Sequence, residues 1–232
     1  MSAALRAAAL AALTLGGPAP AAAQEVLDRG TFVIQRAGNE VGREDFAIRR
    51  ATGRGGAGGI LAVATVRYLD RELRPALELT GDLQPLSYQL DVSAGGRVVE
   101  RYSAQFGRGR VAARVASQRR EVLRELPAGA GVAVLDDDAF HQFYFVPRAA
   151  AGEPRTVRLL LPRTPALVSA QVRRIGPDTV TVAGHPVAAD RFALQLEGGG
   201  VREFWFTASG DLLQVAIPAS EIVATRTALP PR

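Results

Sequence analysis

The sequence predicts an all-β protein, mainly antiparallel, in which one large curved meander sheet forms a barrel or half-barrel with one short central helix. Three observations predict this fold. Apolar residues recur at every second position in segment after segment, glycine-rich turns separate the segments, and one segment near residue 140 changes to helical spacing. Alternation indicates strands with one buried face, because successive side chains point to opposite sides of a sheet.

The first 23 residues predict a secretory signal peptide. Arg6 precedes an apolar run over residues 7–15, and small residues lead to a cleavage site after Ala23. That run is shorter than the roughly 20 residues of a membrane-spanning helix. We therefore expect an exported, periplasmic or extracellular, soluble protein whose residues 24–232 form a single β-rich domain with a loose tail at 228–232.

Composition excludes several classes of site. The chain has no Cys, which excludes disulfides, thiolate metal ligands, a cysteine nucleophile and a lipidated cysteine anchor. All 28 basic residues are Arg, and the net charge of +5 is spread along the chain. Nucleic-acid binding needs a concentrated basic face, so we expect none. Weak attraction to anionic envelope surfaces fits this charge better.

The first half of the chain reads as consecutive strands. Residues 30–36 and 45–50 flank a predicted turn at 38–42, and a strand at 60–68 follows a glycine-rich loop at 53–59. That loop lacks the Lys-Ser or Lys-Thr of a phosphate-binding loop, so we interpret it as a hairpin loop. Four one-sided strands then follow, with these apolar positions: Leu73, Leu77 and Leu79; Leu86, Tyr88, Leu90 and Val92; Val98, Tyr102, Ala104 and Phe106; Val111, Ala113 and Val115.

The second half returns to strands after one exception. Six strands are predicted at residues 156–161, 166–174, 179–182, 187–197, 201–207 and 212–218. Turn residues separate them, including Gly176-Pro177-Asp178 and Ala183-Gly184. So many twisted antiparallel strands do not stay flat, and we expect the sheet to curl or close.

The exception is a predicted helix at about residues 136–146. Phe140, Phe143 and Tyr144 have helical spacing after three aspartates, Asp136 to Asp138, which we expect to cap the helix start. Pro147 discourages continuation of the helix. The aromatic side chains are expected to plug or cover the concave face of the sheet.

Three segments carry a resemblance to a known group of proteins. Residues 38–46, 135–144 and 202–213 resemble the opening hairpin, the Asp-rich helix start and the closing hairpin of uncharacterised secreted bacterial proteins, domains of unknown function built as long curved antiparallel meanders. The resemblance implies the fold rather than an activity. A more distant likeness, of architecture alone, is to periplasmic lipoprotein carriers, whose curved sheet holds acyl chains.

Catalytic chemistry has few candidates. His141 and His185 are the two histidines, no metal-ligand spacing occurs, and no cofactor is expected. His185 is interpreted as a surface turn residue. A hydrolase would pair Asp138 with His141 on one helix face and take Ser103 or Ser209 as nucleophile. No nucleophile elbow supports a hydrolase. The simpler interpretation is that the aspartates cap the helix and that His141 lies on its surface without a catalytic role.

The leading hypothesis is therefore a non-enzymatic periplasmic binding or carrier protein for an apolar small molecule or lipid. The expected ligand contacts are aromatic: Tyr88, Tyr102, Phe106, Phe140, Phe143, Tyr144, Phe192 and Trp205. The first alternative is an envelope scaffold that binds a protein partner through strand edges or arginines and has a filled interior. The second is the hydrolase.

Overall fold

A computed structural model describes residues 25–51, 58–129, 131–150 and 154–229. The predicted signal peptide, most of the glycine-rich loop and the end of the tail lie outside these ranges. Within them, all strands belong to one sheet of 15, in the order β8-β7-β6-β5-β4-β3-β2-β1-β15-β14-β13-β12-β11-β10-β9. All neighbours pair antiparallel except β9 and β10, which are parallel. The predicted all-β antiparallel class is confirmed.

The strands alternate buried and exposed residues along most of their lengths. Their bounds are β1 Val26–Arg36, β2 Asn39–Ala51, β3 Gly59–Tyr68, β4 Arg71–Leu79, β5 Pro85–Ala94, β6 Arg97–Gly107, β7 Arg110–Ser117, β8 Glu121–Pro127, β9 Val132–Val134, β10 Thr156–Leu161, β11 Ala166–Val182, β12 His185–Leu196, β13 Val201–Phe206, β14 Leu212–Ile217 and β15 Ile222–Arg226. Two 3₁₀ helices, Phe140–Tyr144 and Pro218–Ser220, and one α-helix, α1 Val146–Ala149, complete the described elements.

The sheet rolls into an open half-barrel. Strands β5 and β9 stand eleven places apart in the sheet, about 50 Å if it were flat, yet they contact each other. Arg158 of β10 also donates to the carbonyl oxygen of Pro127 in β8 at 2.8 Å. No hydrogen-bonded pairing joins the edge strands β8 and β9 within the described residues, so the barrel does not close.

The segment that follows β9 fills the inside of the half-barrel. We call residues 135–150 the plug. Its aromatic residues Phe140, Phe143 and Phe145 are fully buried in a core to which the inner faces of most strands contribute. Phe143 lies 5.9 Å from Phe204 of β13 between ring centroids. The expectation that this segment occupies the concave face is correct.

The helix in the plug differs from the predicted one. A 3₁₀ helix begins at Phe140, and α1 follows with Pro147 in its first turn, where a proline needs no N–H partner. The three aspartates precede these helices and do not cap them, because their carboxylates bind arginines and, for Asp138, a tyrosine as well. The predicted continuous helix at 136–146 is therefore wrong in its start and its cap.

Two predicted turns are also wrong. β2 already begins at Asn39, so the first turn is limited to Ala37 and Gly38. Residues 176–178 do not end a strand, because β11 continues through them with a register shift next to Gly176. Gly176 adopts a φ of 144°, which L side chains rarely adopt, and the extra backbone bends the long β11–β12 hairpin.

The bent hairpin forms a second, smaller core on the outer face of the sheet. Val180, Val182 and Ala189 cover Trp205 and Leu213 there. The indole N–H of Trp205 donates to Asp178 Oδ2 at 2.8 Å. The sheet therefore has apolar contacts on both faces in this region, while its outer face elsewhere carries mainly polar residues.

Candidate functional site

The three aspartates at the start of the plug bind different parts of the half-barrel. Asp136 accepts from Arg163 Nε at 2.8 Å, and Asp137 binds Arg202 of β13. Asp138 accepts from the hydroxyl of Tyr68 at 2.8 Å and lies within 3.4 Å of Arg71 and 3.0 Å of Arg163. Asp138 also donates its backbone N–H to Asp136 Oδ1. The run of aspartates therefore ties the plug to strands on both sides of the half-barrel.

Burial changes the titration of this cluster. Burial raises the pKa of Asp136, although Arg163 acts in the opposite direction. Burial raises the pKa of Tyr68 far above its usual range, and the neighbouring Asp138 raises it further. Burial acts to lower the pKa of Arg163, but Asp136 and Asp138 together raise it. The arginine therefore keeps its charge and partly neutralises the carboxylates that surround it.

A buried carboxylate holds the middle of the plug. Glu44 of β2 accepts the backbone N–H groups of Phe140 at 2.7 Å and His141 at 3.2 Å, and it contacts His141 Nδ1. Glu44 and His141 are both fully buried, and His141 Nε2 has no partner among the described residues. The ring of His141 stacks on Phe46 at 6.0 Å. This group fastens the plug from within the core.

The predicted pairing of Asp138 with His141 is wrong. His141 binds Glu44 in the core, whereas Asp138 faces Tyr68 and two arginines at the end of the half-barrel. The proposed nucleophiles lie elsewhere. Ser103 is on the outward parity of β6, opposite the buried Tyr102 and Ala104, and Ser209 binds Asp211 in the β13–β14 turn. The structure brings no part of the predicted triad together.

Seven of the eight aromatic residues predicted to contact a ligand share the main core. Tyr88, Tyr102, Phe140 and Phe143 are buried, whereas Phe106, Tyr144 and Phe192 are partly buried against them. Burial, with a hydrogen bond to Glu100, raises the pKa of Tyr102 to about 12. Trp205 lies on the outer face instead, because its side chain points to the side of β13 that faces away from the plug. The aromatic residues on the inner face pack against the plug, so its backbone and side chains occupy the predicted concavity.

An open cleft remains at the end of the half-barrel where the aspartates lie. We call it the mouth cleft. It has a volume of about 350 Å³. Its lining combines apolar residues with charged ones: Leu135, Leu161, Pro162, Ile217 and Ile222 with Arg36, Arg71, Arg163 and Asp136 to Asp138, and Thr164 and Ser220 complete it. Within the described residues, Arg36 is in no ion pair.

Sequence reasoning missed the partners of the aspartates. Arg71 and Arg163 stand in or beside turns, and nothing in their spacing distinguishes them from other arginines. Glu44 did carry a signal, because it shares the buried parity of Phe46 and Ile48 in β2. A carboxylate on a buried parity indicates a bound partner, since an unpaired buried charge is strongly unfavourable.

The described residues contain no group of three His, Asp or Glu side chains arranged to hold a metal ion. Across the same ranges, no helix has the length and apolar character needed to span a bilayer. His185 lies exposed at the start of β12, next to the Ala183-Gly184 turn, as predicted.

Comparison with known proteins gives a likeness in structure. No protein-family model matches the sequence, and no curated protein matches it. The chain is similar to a crystal structure described as a beta-barrel-like protein of domain of unknown function DUF1849 from Brucella abortus. The identity is 11%, the TM-score is 0.48, and the match covers 87% of this chain and 94% of that chain.

Proposed function

We propose that the protein is a non-enzymatic binding protein of the bacterial envelope that takes a small anionic amphiphile in the mouth cleft. The observation that carries this proposal is the composition of the cleft wall. Five apolar residues line the cleft, and Arg36 faces the same space without a carboxylate partner in the described chain. Ligand sites typically combine an apolar lining with a few polar groups that fix orientation.

The filled interior determines where the ligand binds. The plug occupies the concave face, so an apolar chain has no room there while the plug is in place. The mouth cleft lies at the open end, where the largely buried Leu135 and Ile222 line its wall beside charged groups. An acidic head group would meet Arg36, and a short apolar chain would lie along the apolar lining, which begins beside Arg36 at its strand partner Ile222. Export to the envelope is part of the proposal and follows from the predicted signal peptide.

The test compares an acid with its uncharged analogue. Purified protein is titrated with dodecanoate and with dodecanol, below their aggregation concentrations, by isothermal titration calorimetry. We expect the wild type to prefer dodecanoate and Arg36→Ala to lose that preference, because removal of one charge-assisted contact costs about 1.5–3 kcal/mol. Arg49→Ala is the matched control, since Arg49 is exposed near the opposite end of β2.

Two results would contradict the proposal. One is that neither compound binds to the wild type. The other is that Arg36→Ala and Arg49→Ala bind dodecanoate equally well. Either result would favour the alternative of a protein-interaction module with a filled interior, and native mass spectrometry of protein purified from its host would then identify bound partners.

A further inference from the structure

We propose that one half of the rim around the mouth cleft docks on an anionic bilayer surface, with Leu69 entering the interface. The rim patch consists of Arg36, Leu69, Arg71, Arg97 and Val98. This surface borders the cleft and shares Arg36 and Arg71 with it, but bilayer docking does not require the cleft to hold a ligand.

Topology places these residues at one end of the half-barrel. Consecutive antiparallel strands alternate in direction, so the β1–β2, β3–β4, β5–β6 and β7–β8 turns all lie at the same end. Arg36 ends β1, Arg71 begins β4 and Arg97 begins β6. Two further arginines, Arg119 and Arg120, lie in the β7–β8 turn. The first eight strands therefore present arginines along this end.

Three adjoining depressions connect the patch. All three share Arg71. One, of about 270 Å³, also contains Arg36 and Leu69, and another, of about 550 Å³, contains Val98 with the glycines of the β5–β6 turn. The third is the mouth cleft, which also contains Arg36. Arg36, Leu69, Arg71 and Val98 therefore lie on one continuous surface that borders the cleft, and Arg97 joins it between Gly96 and Val98 in the chain.

Leu69 is the apolar tip of this surface. It stands at the β3–β4 turn with 98% of its area exposed, more than any other large apolar residue described, and Val98 nearby is half exposed. A leucine that is almost fully exposed and set among arginines has the two properties of an interfacial anchor. The apolar tip enters the acyl boundary, and the cations attract anionic head groups.

The charges favour an anionic surface on this half of the rim alone. Arg36, Arg97, Arg119 and Arg120 form no ion pair within the described residues. Asp70 and Glu72 are the opposing charges in the two depressions outside the cleft; Glu72 pairs with Arg67 and Arg74, and Arg71 pairs with Asp138. The turns at 197–200 and 218–221, on the other half, carry Glu197 and Glu221. A bilayer would therefore contact the β1–β8 half and tilt away from the other half.

The experiment is co-sedimentation of the purified protein with vesicles of phosphatidylcholine, with and without phosphatidylglycerol at about one third of the lipid. We expect binding to the anionic vesicles that falls as salt is raised. Arg97→Glu should weaken the partition coefficient by at least about fivefold, and Asp70→Asn should strengthen it by about fivefold, the effect of one charge near the surface. Leu69→Ser should weaken it at every salt concentration.

Matched controls separate docking from general attraction. Arg108→Glu changes an exposed arginine in the β6–β7 turn at the opposite end, and Leu123→Ser removes an exposed leucine from edge strand β8. Neither control should change the binding. Absence of binding at low salt, or equal losses in the controls, would overturn the proposal. Loss with Arg97→Glu but not with Leu69→Ser would also overturn it, because the arginines would then adsorb to anionic lipid without entry of Leu69 into the interface.

Discussion

Glu44 shows how single residues in this protein join the plug to the sheet. Its carboxylate accepts two backbone N–H groups from the plug and contacts the ring of His141, all without access to water. A buried ion pair, Asp28 with Arg226, joins β1 to β15, and the guanidinium lies over the ring of Phe46. A Cβ on Gly30 would lie 2.8 Å from that guanidinium, so glycine gives the pair its space.

Glu44→Gln tests the contribution of the buried carboxylate. The amide cannot accept all three donors, so at least one buried N–H loses its partner, which costs about 3 kcal/mol in the free energy of unfolding. Urea denaturation measures this. Glu125→Gln, on exposed edge strand β8, should cost less than about 1 kcal/mol. Equal effects of the two substitutions would show that Glu44 is not a structural anchor.

At the scale of elements, the plug and the bent β11–β12 hairpin are each attached by polar contacts to the sheet. The plug relies on the aspartate cluster, in which Arg163 serves both Asp136 and Asp138. The hairpin relies on the bond from Trp205 to Asp178 above a small apolar cluster. Removal of a buried partner should therefore lower the free energy of unfolding much more than removal of an exposed partner.

Arg163→Ala tests the plug attachment. Asp136, whose side chain is 1% exposed, would lose its guanidinium, and a buried unpaired charge costs about 3–5 kcal/mol. Addition of Asp136→Asn should recover at least half of this loss, because the amide carries no charge. Arg110→Ala, which breaks an exposed ion pair, should cost less than about 1 kcal/mol.

The same variant has a defined pH dependence. Burial raises the pKa of Asp136 in the folded protein, and loss of Arg163 raises it further. An acid with a raised folded pKa binds its proton more readily when folded, so its penalty decreases as the pH falls through that pKa. The difference in unfolding free energy between the wild type and Arg163→Ala should therefore be smaller at pH 5 than at pH 8. A constant difference would contradict this account.

The single tryptophan reports on the hairpin. The hydrogen bond from Trp205 holds the pKa of Asp178 below its usual range. A lowered pKa means that the bond persists at neutral pH and weakens as the pH falls through the folded pKa. We expect the tryptophan emission to change in that acidic range while far-UV circular dichroism stays native. Asp178→Asn should abolish the emission change, and an unchanged transition in that variant would contradict the assignment.

At the scale of the whole molecule, the centre of the sheet is more firmly held than its two edges. The first and last strands, β1 and β15, pair in its centre and are joined by the buried Asp28–Arg226 pair. The edge strands β8 and β9 face the opening, and β8 carries Leu123 with 67% of its area exposed. Charged residues along β8 discourage another strand from pairing there.

Hydrogen exchange should follow this difference. Amides at the centres of β1 and β15 should exchange orders of magnitude more slowly than those of β8, because β8 is paired on one side and opens locally. Exchange measured by mass spectrometry at neutral pH provides the comparison, with β7, paired on both sides, as the internal reference. Equal protection of β8 and β1 would show that another contact covers the β8 edge.

Sequence periodicity alone determined the all-β class and most strand positions, because burial on one face of a strand leaves a two-residue repeat in the chain. It did not predict β8, β9 or β15, which are short or mostly exposed and have weak repeats. The tertiary structure decided the remainder. Which arginine meets which aspartate, and whether the concavity is empty, depend on residues far apart in sequence that come together when the sheet rolls around the plug. The spacing of residues along the chain does not show which of these distant residues come into contact.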